Sequence, residues 1–273
     1  MILKKRIPGA SGKRCVESMG WLITVGKDEG EISLLHPFSG VQIELPHQNT
    51  TKDYYELNDT EEPWAFIRKA VLSANPSQTS DYVLMVIEGP NRFLSFWRPG
   101  DLLWTRIGSG TSFQHVSDVV YFDGLFYTVA YGGCVYVCDV AGFGPAKTHF
   151  VAKLPRDPDA EYSVKWTYQT TNIQVFQVDL AVGKMIETRD LGDRAFFLGA
   201  NASLSVQASQ FPGIKCNHIY FTDNCLIEHT EFEEGGGSDM GVFNLADGSF
   251  QPHYEGISLS RVCPPLWVTP TLR

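Results

Sequence analysis

The chain has 273 residues, 43% of them hydrophobic, and sets 31 acidic side chains against 22 Lys and Arg for a net charge of −9. That length and apolar share suit one large domain with a substantial core, and the acidic balance works against nucleic acid as the main partner. No apolar run reaches the roughly 18 residues of a membrane span and Met1 to Gly20 holds no signal-like apolar core, so an intracellular protein, cytoplasmic or nuclear, with no membrane partner is expected.

Residues 1–14 read as a flexible basic leader, ahead of a single domain over 15–273. Within the leader, Gly9-Ala-Ser-Gly-Lys13 has only two residues between its glycines and Arg14 in place of Ser or Thr, so it is not a phosphate loop. Three strand-like runs follow at once: GWLITV, ISLLHPF and VQIELP. Further on, an apolar strand, a short turn and a Gly recur as ISLLHPFSG, RFLSFWRPG, CVYVCDVAG, IQVFQVDLAVG and MGVFNLADG. The closing glycines at 40, 100, 142, 183 and 248 are spaced 60, 42, 41 and 65. A period of about 40 to 45 residues with two insertions is that of four-stranded propeller blades.

With strands lettered a to d, the second blade reads AFIRKAVLS, YVLMVIEG, RFLSFW and LLWTRIG, although Glu61 to Ala74 also carries the stripe of an amphipathic helix. The third blade reads VVYFDG, LFYTVAYGG, VYVCDV and THFVAKLP, and the last AFFLG, HIYFT, MGVFNL and FQPHY. The first has b, c and d without an evident a, which PPLWVTP near the C-terminus is placed to supply, closing the sheet edges. The expectation is an all-β propeller of about five blades, closed by the C-terminal strand. Its fourth blade, residues 156–193, is expected to be incomplete.

The segments CVESMGWLITV, SLLHPFSGVQIELP, RKAVLSANPS, DVVYFDGLFYTV, FQVDL, LGDRAFFLGANASLSV, PGIKCNHIYFTDN, GVFNLADG and PLWVTP run through nearly the whole chain in order. In them the sequence resembles the plant domain family that includes the KIB-type F-box/kelch proteins. The resemblance implies a propeller that recognises a target protein, usually behind an F-box that docks on a Skp-type adaptor of a ubiquitin ligase. Only about 14 residues precede the first matching segment, too few for an F-box, so binding of that adaptor by this chain alone is not expected.

Residues with chemical potential point elsewhere weakly. Six cysteines at 15, 134, 138, 216, 225 and 263 form no tight framework and read as reduced thiols. Cys216, His218, Cys225 and His229 have a spacing too tight for the usual zinc set, so neither metal nor cofactor is expected. Three sequons, at Asn49, Asn58 and Asn201, stay unmodified in a chain that is not secreted. Propellers also host glycosidases with paired carboxylates, for which Asp118, Asp123, Asp193 and Asp223 are the candidates. For Asp123-Gly and Asp223-Asn, turn chemistry is the plainer reading. A degenerate copy without function is the third alternative.

Sorting loops by the up-down order of the strands places b–c and d–a connections on one face. These loops hold 17 of the 31 acids, among them Asp28, Glu29, Glu31, Glu88, Glu231, Glu233, Glu234 and Asp239. With Tyr54, Tyr55 and Trp64 as aromatic anchors, that face is expected to receive a target protein with a basic surface. A non-enzymatic, protein-binding propeller is the function expected.

Overall fold

The computed structural model describes residues 7–27, 30–51, 54, 66–108, 115–140, 142, 146–154, 169–201, 203–223, 239–252 and 265–268. Apart from short 3-10 turns, the described elements are all strands, so none is a helix long and apolar enough to cross a membrane. Two compact units divide the chain: residues 1–126 with 140–146 and 268–273, and residues 127–139 with 147–267.

In the first unit, β1 (Arg14–Ser18), β2 (Trp21–Val25), β3 (Ile32–Leu35) and β4 (Gln42–Glu44) form an antiparallel sheet in chain order. The first three strands are buried along their whole length. Burial on both faces obliges their polar side chains to find partners within the sheet. Accordingly Thr24 and Ser33, cross-strand neighbours, share a hydroxyl hydrogen bond of 2.9 Å.

The second sheet, also antiparallel in chain order, comprises β5 (Ile67–Leu72), β6 (Leu84–Glu88), β7 (Phe93–Trp97) and β8 (Thr105–Arg106). The stretch that also suited a helix is thus a strand over 67–72, where pairing with β6 buries Ile67, Ala70 and Leu72. The third sheet orders β9 (Asp118–Phe122), β10 (Leu125–Ala130), β11 (Cys134–Asp139) and β12 (Lys147–Lys153).

In the second unit, β13 (Val175–Asp179) and β14 (Lys184–Thr188) form a two-stranded sheet. A five-stranded sheet follows, with β15 (Arg194–Leu198), β16 (Ser203–Gln207), β17 (His218–Phe221), β18 (Gly241–Asn244) and β19 (Phe250–Pro252) in the order β16-β15-β17-β18-β19.

Three expectations are corrected. First, the described residues make four blades, with β13–β14 as a two-stranded sheet beside them, and not about five blades closed by the C-terminal strand. Second, the innermost strand of the first sheet is Arg14–Ser18, immediately upstream of β2, and Pro265–Val268 is not a strand. Met19 (φ 51°) and Gly20 (φ 80°) both take positive φ, the geometry of a two-residue hairpin, so the adjacent segment folds directly back. Closing so short a loop costs far less chain entropy than bringing in a strand about 240 residues away. Third, the last blade does not simply alternate. After the β15–β16 hairpin the chain returns to the opposite side of β15, so β15 and β17 pair in parallel.

The thiols differ sharply in environment: Cys15 and Cys138 are buried and Cys216 is exposed. Burial pushes the Cys138 thiol up to about 12, leaving it protonated and unreactive at neutral pH. Under native conditions iodoacetamide is therefore expected to alkylate Cys216 and spare Cys138, read by peptide mass mapping. Equal labelling of the two would contradict the packing of β11.

Candidate partner-binding surface

The ionisable residues of the first unit are turned largely to internal work. The β1, β5 and β9 strands lie side by side and are tied by side chains. Ser18 Oγ accepts the Leu72 backbone N–H at 2.9 Å, and the Arg14 guanidinium donates to the Arg68 carbonyl at 3.2 Å. Lys69 on β5 forms an ion pair with Asp118 on β9, the lysine side chain keeping 7% of its exposure and the aspartate 38%. Glu88, fully buried, accepts the Ser95 hydroxyl and lies 3.8 Å from the Arg106 guanidinium, which stacks over Phe93.

The four aspartates weighed as catalytic carboxylates each have a structural task. Asp118 holds Lys69 and also accepts the Val119 backbone N–H. Asp123 (φ 48°) and Gly124 (φ 82°) form the two-residue turn between β9 and β10. Asp193 accepts the Ser209 hydroxyl and backbone N–H, and those bonds, the hydroxyl's first, hold its carboxyl below the ordinary value. A general acid for glycoside cleavage needs the opposite shift. Asp223 is buried and accepts the Asp239 backbone N–H at 3.5 Å, while Asp239 in turn accepts the Thr170 backbone N–H and hydroxyl. Among the described residues there is no group of three or more His, Cys, Asp or Glu placed to hold a metal. His218 Nδ1 instead lies 2.7 Å from the Cys216 backbone carbonyl, and Cys225 and His229 lie outside the described residues.

Of the residues expected to bind a basic partner, Asp28, Glu29, Tyr55, Trp64, Glu231, Glu233 and Glu234 lie outside the described residues. Tyr54 is described and half-buried, its ring edge-on to His47 at 6.1 Å and to Phe66 at 5.4 Å. Three of the 17 loop acids are described: two are buried, and the third, Glu31, keeps 45% of its side-chain exposure. Glu88 and Asp239 are buried as above, and Glu31 pairs with Lys13 at 3.2 Å. Burial works to raise the Glu31 carboxyl, but its own backbone N–H and the Lys13 ammonium outweigh it and leave the group below its usual value.

The opposite ends of the same sheets carry a feature that the sequence reading missed. In the first unit the a–b and c–d turns share one face, as the cross-links between them show. Trp21 at the start of β2 packs edge-on against His36 in the β3–β4 turn at 5.1 Å, and its Nε1 donates to Asn75 of the β5–β6 loop at 3.1 Å. On this face Phe38, Val41, Leu102, Leu103 and Phe122 are exposed, Leu102 to 86%. The sequence reading placed Leu102 and Leu103 inside a strand, whereas β8 begins only at Thr105 and Trp104 is the residue that turns inward, donating to the Pro46 carbonyl at 2.9 Å. The usable signal was Pro99-Gly-Asp101 directly before them, which marks turn residues.

Three four-stranded antiparallel sheets in chain order, with a five-stranded sheet later in the chain, are the blades of a β-propeller. The chain belongs to the KIB1-4 beta-propeller family, whose model matches residues 1–244. The Arabidopsis thaliana protein At5g55150, named as an F-box protein, is 25% identical over 279 aligned residues that cover 94% of this chain and 74% of that protein. F-box protein At2g26160 of the same plant is 23% identical over 75% of this chain and 73% of its own length. The F-box/kelch-repeat protein At3g18720, also from Arabidopsis thaliana, is 27% identical over 49% of this chain and 33% of its own length. Among solved structures, YCF48 from Cyanidioschyzon merolae aligns over 90% of this chain and 74% of that chain at 15% identity, with a TM-score of 0.39, too slight a likeness to bear on the fold.

Proposed function

We propose that this chain is a non-enzymatic, protein-binding propeller that acts as the target-recognition part of an F-box-type ubiquitin-ligase receptor. The observation that carries the reading is the exposure of five large apolar side chains, Phe38, Val41, Leu102, Leu103 and Phe122, at or beside the short turns of the first unit. Exposed apolar side chains gathered on one face mark interaction sites, and the F-box names of the relatives supply the context. The target carries a basic surface, drawn by the acid-rich loops that include Asp28, Glu29, Glu231, Glu233 and Glu234.

The test is affinity capture from plant extract with the chain as bait, with and without an added F-box, and identification of what is bound. A reproducible client without adaptor, joined by adaptor once the F-box is added, is the expected result. Replacing Glu231, Glu233 and Glu234 together by Gln is expected to weaken client binding several-fold at low salt and to flatten its salt dependence. Binding that is unchanged and insensitive to salt would remove the acidic loops from the account. Hydrolysis of a glycoside that is lost on substituting Asp193 or Asp223 would replace the receptor reading with an enzyme.

A further inference from the structure

We propose that the short-turn face of the first unit is a docking site for a short protein segment carrying large apolar residues flanked by Lys or Arg. This deepens the receptor reading and rests on it, but places the contact at the short turns of the first unit.

The proposed part of the face consists of residues 19–20, 36–41, 73–83, 98–104 and 123–124, all described; the β11–β12 turn is described only in part. Its exposed apolar groups are Phe38, Val41, Leu102 and Leu103, with Phe122 beside the last turn. Its charges are uneven. Asp81, Asp101 and Asp123 stand on these turns, Asp81 and Asp123 exposed, and the sole Lys or Arg in these five segments is Arg98. The Arg98 guanidinium is already used, donating to the Val140 carbonyl and stacking 4.6 Å over the Phe96 ring, while its backbone N–H is held by Asp101 Oδ2 at 3.1 Å. At these five turns an approaching surface therefore meets apolar side chains interspersed with carboxylates, and the one cation among them is occupied.

That charge pattern selects the occupant. A second copy of the chain, docked through the same face, would set one carboxylate-bearing surface against another of the same sign. An anionic lipid surface would meet the same carboxylates. A segment with Lys or Arg beside Leu, Phe or Trp satisfies both halves of the face: its apolar residues cover Leu102 and Leu103, and its cations neutralise the rim.

The experiment selects a library of short random peptides on the full chain, then measures the enriched peptides by fluorescence anisotropy. Peptides rich in Lys or Arg next to Leu, Phe or Trp are expected. The Leu102→Ser/Leu103→Ser variant is expected to bind them at least roughly tenfold more weakly, the loss that about 1.4 kcal/mol gives. Asp81→Asn/Asp123→Asn is expected to reduce their salt dependence. These side chains are solvent-facing, so both variants should melt as the wild type does. Enrichment of acidic or uncharged peptides, no enrichment, or equal binding by the leucine variant overturns the proposal. So does concentration-dependent dimerisation, or retention by phosphatidylserine vesicles, abolished in the leucine variant. A client captured from extract and held equally by both variants would leave the receptor function standing and this face without its role.

Discussion

Asp118→Ala is expected to lower the stability of the protein by about 2 kcal/mol, measured by urea unfolding. The Lys69 side chain, 7% exposed, pairs with the Asp118 carboxylate, and removing the anion takes the ion-pair partner from a largely desolvated ammonium between β5 and β9. Losses of about 3–5 kcal/mol are typical where both partners are buried. The smaller figure applies because the Asp118 side chain keeps 38% of its exposure and water can relieve part of the imbalance. The double replacement Lys69→Met/Asp118→Leu separates charge balance from shape: it removes both ions and is expected to recover most of the loss. If Asp118→Ala unfolds at the wild-type urea concentration, the pair does no structural work and Asp118 returns as a candidate for chemistry.

Trp267→Ala is expected to cost about 3 kcal/mol, toward the low end for a large aromatic because the residue is only partly buried. Its ring meets Phe197 edge-on at 4.9 Å, its Nε1 donates to the Leu198 carbonyl at 2.9 Å, and it packs beside Ala195, Ala208, Tyr220 and Val242. The neighbouring Pro265 carbonyl accepts the Thr222 hydroxyl at 3.2 Å, a second tie to the same sheet. Hydrogen exchange locates the effect: protection should fall at Phe196–Leu198 and Ile219–Phe221 and hold at Trp21–Val25. Faster exchange confined to Trp21–Val25 would restore the closing strand expected from sequence and contradict the packing of Trp267.

Much of the fold was legible because its signals are local. The alternating and apolar runs at 82–87, 125–130 and 134–140 fall on β6, β10 and β11, and the Asp-Gly pair at 123–124 forms the turn it suggests. Local signals failed where partner choice is long-range. Arg14–Ser18, with Arg, Glu and Ser in five residues, does not read as a buried strand, yet Arg14 reaches the Arg68 carbonyl and Glu17 accepts the Gly20 N–H at 2.7 Å. Those partners make burial of the polar groups tolerable, and none is visible in the strand itself. Met19 concealed the hairpin because a methionine rarely takes positive φ.

The candidate surface was harder still. Charge can be counted along a chain, so the acidic loops stood out, but counting does not tell an acid facing water from Glu88, buried against Ser95 and Arg106. Nor does it tell an inward leucine from Leu102, which differs from Trp104 by only two positions yet faces the opposite environment.

By itself, then, the sequence determined the all-β class and the four-strand repeat, because turn chemistry and strand periodicity act over a few residues, while the likeness to the KIB-type F-box/kelch family rested on its matching segments. The tertiary structure alone decided which segment completes the first sheet, where Trp267 packs, how β15 and β17 pair and which acids and apolar groups meet solvent. Those outcomes depend on distant segments competing for the same sheet edge or cavity, and the winner is set by loop entropy and by the satisfaction of buried polar groups.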